Sequence, residues 1–195
     1  MIGRMVENYN EVLYNNEIIE TKRLILRKFK VCDAKDLFEY GSDPAVLEYM
    51  VWPGFKSIEE ARAGIYNNYL SKPGIYAIEL KENAKCIGDI DLRITPEHEK
   101  VSVGYALNRE YWGRGLMSEA LKAVLELCFD KLEVNRVEAG HFAGNEASGR
   151  VMEKCGMVKE GIARQEFKVR GVFIDDVKYA VTRGEWVERK ADWEN

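Results

Sequence analysis

YALNREYWGRGLMSE, residues 105–119, is an apolar strand that runs into a glycine-bracketed turn carrying arginines and then opens a helix. Gly113 and Gly115 let backbone N–H groups converge where a side chain would block approach. The first helical turn adds unpaired donors and the positive end of its dipole, so Trp112, Gly113, Arg114, Gly115, Leu116, Met117 and Ser118 read as a cradle for an anionic ligand. Arg109 and Arg114 add charge at its rim. A plain connection fits the same letters, because short glycine motifs recur in turns that bind nothing. The segment has neither the G-x-x-x-x-G-K-S/T of a nucleotide-hydrolysing loop nor the third glycine of a dinucleotide fingerprint.

A second strand-to-helix unit decides between these readings. Val134 to Ala143 is an apolar run, followed by NEASGRVMEKCGM at residues 145–157. Asn145 is suited to cap the helix, Val151, Met152 and Cys155 make its apolar stripe, and Gly156 stops it. Working outward, Lys22 to Phe29 reads as the first strand and Asp33 to Tyr49 as a helical stretch broken near Gly41 and Pro44. Ser57-x-x-Glu60 is a capping box for a helix to about Leu70. Ile75–Leu80, Lys85–Thr95 and Val101–Leu107 are the next strands; Val158–Lys168 and Val172–Thr182 close the chain as a hairpin at Arg170-Gly171. After the glycine turn, Ala120, Ala123, Val124, Leu127 and Cys128 share one buried helix face. Helices falling between particular strand pairs predict a mixed α/β (α+β) sandwich.

Taken together, ETKRLILRKF, SIEEA, WGRGLMSEA, NEASGRVMEKCGM and GVFIDDVKYAVTRGEW, spread over Glu20 to Trp186, resemble the GNAT superfamily of acetyl-CoA-dependent N-acetyltransferases, and within it the RimJ/RimL type that acts on ribosomal-protein N-termini. The resemblance implies a mostly antiparallel sheet with helices on both faces, whose fourth and fifth strands run parallel and splay apart to admit a pantetheine arm. It also implies acetyl-CoA as cosubstrate and direct transfer to an amine, with no metal. The acceptor expected from it is a protein N-terminal amine, ribosomal or other. Small-molecule amines and a non-catalytic acyl-CoA-binding module stay open as alternatives.

Specific residues follow. Dense N–H donors at Gly113–Met117 suit a pyrophosphate. Exposed backbone at Ala106, Leu107 and Asn108 could pair with the arm's amides as an added strand would. The Asn145 side chain either donates to the arm or caps its helix. Many superfamily members carry a tyrosine acid four residues before the closing glycine, and here that position is Met152. The Rim-type alternative is Ser148, hydrogen-bonding the departing sulfur. Glu160 stands where Rim-type sequences carry an acidic residue and is the candidate base, with a plain surface carboxylate as the alternative. Glu138 and His141 fall on opposite strand faces by alternation. Asp175 shares a face with Phe173, Val177 and Tyr179; a carboxylate there needs a partner, in a structural contact or in the acceptor amine. Trp52 is a candidate wall of the acceptor pocket, or a core residue.

Composition bounds the rest. The 195 residues, 46% of them hydrophobic, suffice for one domain with a sizeable core. We expect an extension, or a short helix packed on the outside, over 1–19, the domain over 20–187 and a tail over 188–195. With 29 Lys plus Arg against 33 Asp plus Glu the formal charge is −4 and no basic run stands out. This disfavours a nucleic-acid partner. No apolar run approaches a membrane span, and MIGRMVENYNEVLYNNE lacks a signal-peptide core. The expectation is a cytoplasmic monomer or homodimer. Cys32, Cys86, Cys128 and Cys155 are far apart and expected reduced.

Overall fold

Alternating apolar and polar residues build a sheet, and the connections between those runs decide where it opens. The computed structural model describes residues 2–193. Its strands are β1 (Ile18–Glu20), β2 (Leu24–Arg27), β3 (Ile75–Leu80), β4 (Lys85–Thr95), β5 (Lys100–Leu107), β6 (Arg136–Phe142), β7 (Val158–Val169) and β8 (Val172–Thr182). They form one sheet in the order β1-β2-β3-β4-β5-β6-β8-β7. Neighbouring strands are antiparallel throughout except at β5 and β6. There the chain crosses over through helix α5 (Leu116–Asp130), and β6 lies parallel to β5.

That parallel pair is short. Lys100, Val101 and Ser102 pair with Arg136, Val137 and Glu138, and the ladder then stops while both strands run on, to Leu107 and Phe142. The sheet is therefore split down its middle. The expected fourth and fifth strands are β5 and β6, because a short strand at Ile18–Glu20 precedes the first one read from sequence.

Helices α2 (Ala34–Gly41), α3 (Pro44–Leu47) and α4 (Ile58–Gly64) cover one face, around Phe29, Tyr40, Ala61 and Ile65. The Ser57 hydroxyl accepts from Glu60 N–H as a cap, while Glu60 reaches back to Lys56 N–H, one residue short of a closed capping box. After Gly64 the helix widens into a π-turn over Ile65–Tyr69. On the other face lie α5, α6 (Glu146–Lys154) and the terminal helices α1 (Ile2–Asn15) and α7 (Arg183–Trp193). Leu121, Val124, Leu125 and Cys128 of α5 are wholly buried, and each such aliphatic side chain contributes about 1.5–3 kcal/mol.

Both ends carry helices. Residues read as an extension form a helix that drives Leu13, 3% exposed, into the main core. At the other end α7 carries Trp186 onto the Phe129 ring at 5.3 Å and continues through the residues read as a tail as far as Trp193. The β7–β8 hairpin turns at Arg170 and Gly171, both with positive φ, as expected for a two-residue primed turn. Among the described residues, no helix is long and apolar enough to cross a membrane.

Candidate functional site

The split between β5 and β6 opens into a cavity of about 1020 Å³. Its wall takes Tyr105, Leu107 and Gly104 from β5, Glu138, Gly140 and His141 from β6, the 113–118 turn, the 144–151 segment, and Asp176 and Lys178 from β8. It thus reaches both faces of the sheet.

At one end stands the glycine turn. Gly113 and Gly115 have φ of +74° and +72°, and a Cβ on Gly113 would meet nothing within 4 Å, while one on Gly115 would meet only the Arg23 guanidinium at 3.8 Å. Each glycine therefore has an open side. Gly115 is the N-cap of α5 and supplies no capping side chain, which leaves the first-turn N–H groups of Leu116, Met117 and Ser118, all residues of the cavity wall, without a side-chain cap. Leu116 and Met117 bury their side chains in the core and offer only backbone. The turn is fixed from afar by Arg23, which donates to the Arg114 carbonyl at 2.9 Å and to Glu119 at 2.7 Å. Arg109, expected at the rim, pairs with Asp43 at 3.1 Å, and Arg114 lies over the Tyr111 ring. Sequence reasoning missed Arg23, whose contact partner is distant in the chain.

The strand edge that faces the split is displaced by one residue from expectation. Asn108 N–H donates to the Ile87 carbonyl at 2.8 Å, and alternation turns the Ala106 backbone toward β4 as well. The backbone groups of Tyr105 and Leu107 face the opening instead. Of these the Leu107 carbonyl already accepts from Trp112 Nε1 at 2.7 Å. The Asn108 side chain is buried between Glu39 and Glu110 N–H and is a structural cap.

Within the cavity, the Tyr105 hydroxyl lies 2.8 Å from Ser148 Oγ and 3.1 Å from the Ser148 carbonyl, and its one proton goes to either oxygen. Burial pushes the Tyr105 phenol up, so it stays protonated at neutral pH. Met152 is 1% exposed and belongs to the core. Met152 is not among the residues that line the cavity, and the phenol beside Ser148 is that of Tyr105 on β5. Asn145 Oδ1 accepts from Ser148 N–H at 3.3 Å as a helix cap. Its Nδ2 has no partner among the described residues, so capping and ligand donation are compatible. We expect Asn145→Ala to lower stability by about 1 kcal/mol and to weaken acetyl-CoA binding, read by thermal melting and calorimetry. A melting shift with unchanged binding would leave capping as its only role.

Other candidates fare differently. Glu160 lines the cavity, but Arg136 takes both its oxygens, at 2.7 and 2.5 Å, and holds its carboxyl below the usual range. A carboxylate so engaged accepts a proton poorly. Glu138 and His141 do face opposite ways: Glu138 bonds Ser102, while His141 sits against Gly149 of α6 and beside the Tyr179 ring. Trp52 is off the cavity wall; it packs on Phe55 at 5.0 Å, and Tyr49, Met50 and Val51 stand at the wall instead. Asp175 is also off the wall. Its carboxylate accepts from Gln165 N–H at 2.8 Å, fixing the irregular stretch of β7, and the next residue, Asp176, is the one at the cavity. Asp89, farther along β4, is pushed up to about 7 by burial although the Tyr40 hydroxyl donates to it at 2.7 Å; it too is off the wall.

Comparison with known proteins follows the same lines. Residues 23–158 match the family model described as the acetyltransferase (GNAT) domain. The uncharacterized N-acetyltransferase p20 of Bacillus licheniformis is 34% identical over 175 residues, which cover 87% of this chain and 98% of that protein. The alanine N-acetyltransferase of ribosomal protein uS5 from Escherichia coli is 31% identical over 84 residues, 43% of each chain. A crystal structure of a GNAT-family acetyltransferase from Bacillus anthracis superposes with a TM-score of 0.79 at 28% identity, covering 86% of this chain and 99% of that one.

Proposed function

The chain belongs to the GNAT acetyltransferases, and from that premise we propose that it moves the acetyl group of acetyl-CoA onto a protein N-terminal α-amine. The observation that carries the reading is the split itself. It joins the N-terminal end of α5 on one side to an open sheet face on the other, with Ser148 and Tyr105 between.

Acetyl-CoA supplies a thioester, an acyl group activated toward amines with a thiolate to lose. The chain's part is to hold and orient, since proximity alone removes much of the barrier. Backbone N–H groups of Gly113 to Met117 suit the phosphates, and the backbone of Tyr105 with the Leu107 N–H suits the arm's amides. Ser148, steadied by Tyr105, keeps a hydroxyl in the cleft where negative charge develops on sulfur. Glu160 has a positioning role, fixing Arg136 on the wall. Support for a protein acceptor comes from the uS5-directed relative and from the cavity's volume of about 1020 Å³, which accommodates a peptide end beside the cosubstrate's reactive end. Such an acceptor and acetyl-CoA would meet the protein in the cytoplasm.

The test is thiol release from acetyl-CoA with peptides starting in alanine or serine, set against 1,4-diaminobutane and an aminoglycoside. We expect kcat/KM on a peptide to exceed that on the small amines at least about tenfold, more than one added contact would give. Preference for a small amine would overturn the protein acceptor, and no release with any amine would overturn catalysis.

A further inference from the structure

The face of the sheet that lies away from α5 and α6 carries an arrangement at the split that no helix or turn requires. The last paired residues there are Ser102 and Glu138. Two positions on, on that same face, stand Gly104 in β5 and Gly140 in β6, one on each bank of the opening. Each glycine makes room for a carboxylate from its neighbouring strand. A Cβ on Gly104 would lie 2.5 Å from Asp91 Oδ1, and a Cβ on Gly140 would lie 2.5 Å from Asp176 Oδ2.

The two carboxylates are not equivalent. Asp91, 29% exposed, is off the cavity wall and pairs with Arg93. Asp176 is on the wall with its side chain only 7% exposed. Of the other wall carboxylates, Glu138 holds Lys100, Arg136 and Ser102, Glu160 holds Arg136 through both oxygens, and Glu146 stands in the first turn of α6, away from this face. Among the described residues, Asp176 has one side-chain partner, the Lys178 ammonium, 2.7 Å from Oδ2. Lys178 is 39% exposed, rests near the Phe167 ring, and has a second, more exposed acid, Glu166, at 3.5 Å. A buried carboxylate is thus matched to an ammonium that can leave for another partner.

We propose that Asp176 is the seat for the acceptor's primary ammonium group, and that Lys178 fills this seat until an acceptor displaces it toward Glu166. The proposal rests on the acetyl-transfer reading and names what that reading leaves open, the group that recruits the amine. The ligand class is an unhindered primary ammonium, whose three donors and single charge match the group it replaces. A neutral isostere leaves the carboxylate buried without a counter-charge, which is where the selectivity arises.

Two variants of opposite expected sign test it. Asp176→Asn should raise KM for the amine about tenfold, the weight of one charge-assisted contact, with KM for acetyl-CoA unchanged. Lys178→Met should lower KM for the amine by vacating the seat. A structural role for the pair predicts no fall in either variant. The second readout is NMR titration with butylammonium chloride against butanol. Lys178→Met should bind the ammonium more tightly than the parent does, and Asp176→Asn should lose the preference over butanol. Equal preference with and without the Asp176 carboxylate would overturn the proposal, as would an unchanged or raised amine KM in Lys178→Met. If Asp176→Asn fails to fold, the Lys178→Met kinetics and titration decide alone. A parent that acetylates no amine would defeat acetyl transfer, while the titration would still decide the role of Asp176.

Discussion

Replacing Gly115 by valine should weaken CoA binding about a hundredfold or more while the protein still folds, because two charge-assisted N–H contacts to a phosphate are together worth that much. Gly115 has a φ of +72°, and the space beside its Cβ is empty of protein apart from Arg23. Valine would therefore meet two penalties of different kinds. The left-handed backbone costs a branched residue about 1–2 kcal/mol of stability, which in a chain this size lowers the melting temperature by a few degrees. The side chain would also stand where the ligand must approach the first-turn N–H groups, and this penalty falls on binding alone. Gly171, at the hairpin tip, separates the two. It has a φ of +86° and open space around it, so Gly171→Val carries the backbone cost far from the cleft. Calorimetry with CoA and thermal melting on both variants make the comparison. Comparable melting shifts with CoA affinity lost only at Gly115 are expected. Near-parent affinity in Gly115→Val would remove the cradle from this turn.

What the letters reveal about this site is what lies within a turn or two of itself. The 105–119 and 145–157 segments declare a strand, a turn and a helix each, since glycine φ, a capping Asn and three-and-four spacing are local properties. The parallel β5–β6 pair is implied by the family resemblance, not by the helical connection alone, since β2 and β3 are also joined through helices and pair antiparallel. Which groups meet across the sheet is another matter. Tyr105 and Ser148 are 43 positions apart, and no pattern in either segment announces the contact. Alternation does put Tyr105 on the helix-facing side, the one signal available. Backbone direction was misread at Ala106 and Asn108 because hydrogen bonding to β4, not the divergence of β6, decides which residues turn outward. Asp175 drew notice as a carboxylate on an apolar face; it meets its need locally at Gln165, and the irregular stretch of β7 that creates this partner has no sequence signature. The glycines at 104 and 140 look like flaws in strands until the carboxylates lying over them are seen.

Ser148→Ala should lower kcat about ten- to a hundredfold and leave acetyl-CoA affinity near the parent's, the range usual for a lost acid–base contact. The hydroxyl matters most when sulfur carries charge, so its removal should spare the ground state. Tyr105 enters because Ser148 can offer its proton to the cleft only while something else satisfies its oxygen. The Tyr105 phenol, kept protonated by burial, has one proton, and it supports Ser148 in this way only where that proton goes to Oγ, 2.8 Å away, rather than to the Ser148 carbonyl at 3.1 Å. In the opposite sense, with Ser148 donating to Tyr105, the serine proton would be turned away from the cleft. Tyr105→Phe removes this support and should cost kcat less than Ser148→Ala does. If the tyrosine acts through the serine, the double variant should be no slower than Ser148→Ala alone, a coupling that a double-mutant cycle reads directly. Additive losses would make Tyr105 an independent participant, and a Ser148→Ala enzyme with the parent's kcat across the pH range would reduce Ser148 to packing. Met152→Tyr provides the contrast. Position 152 is 1% exposed, so the new hydroxyl would be buried away from the cleft and should lower stability without rescuing Ser148→Ala. Rescue would show instead that α6 can turn to bring that position to the sulfur, and the assignment of the phenol to β5 would fall.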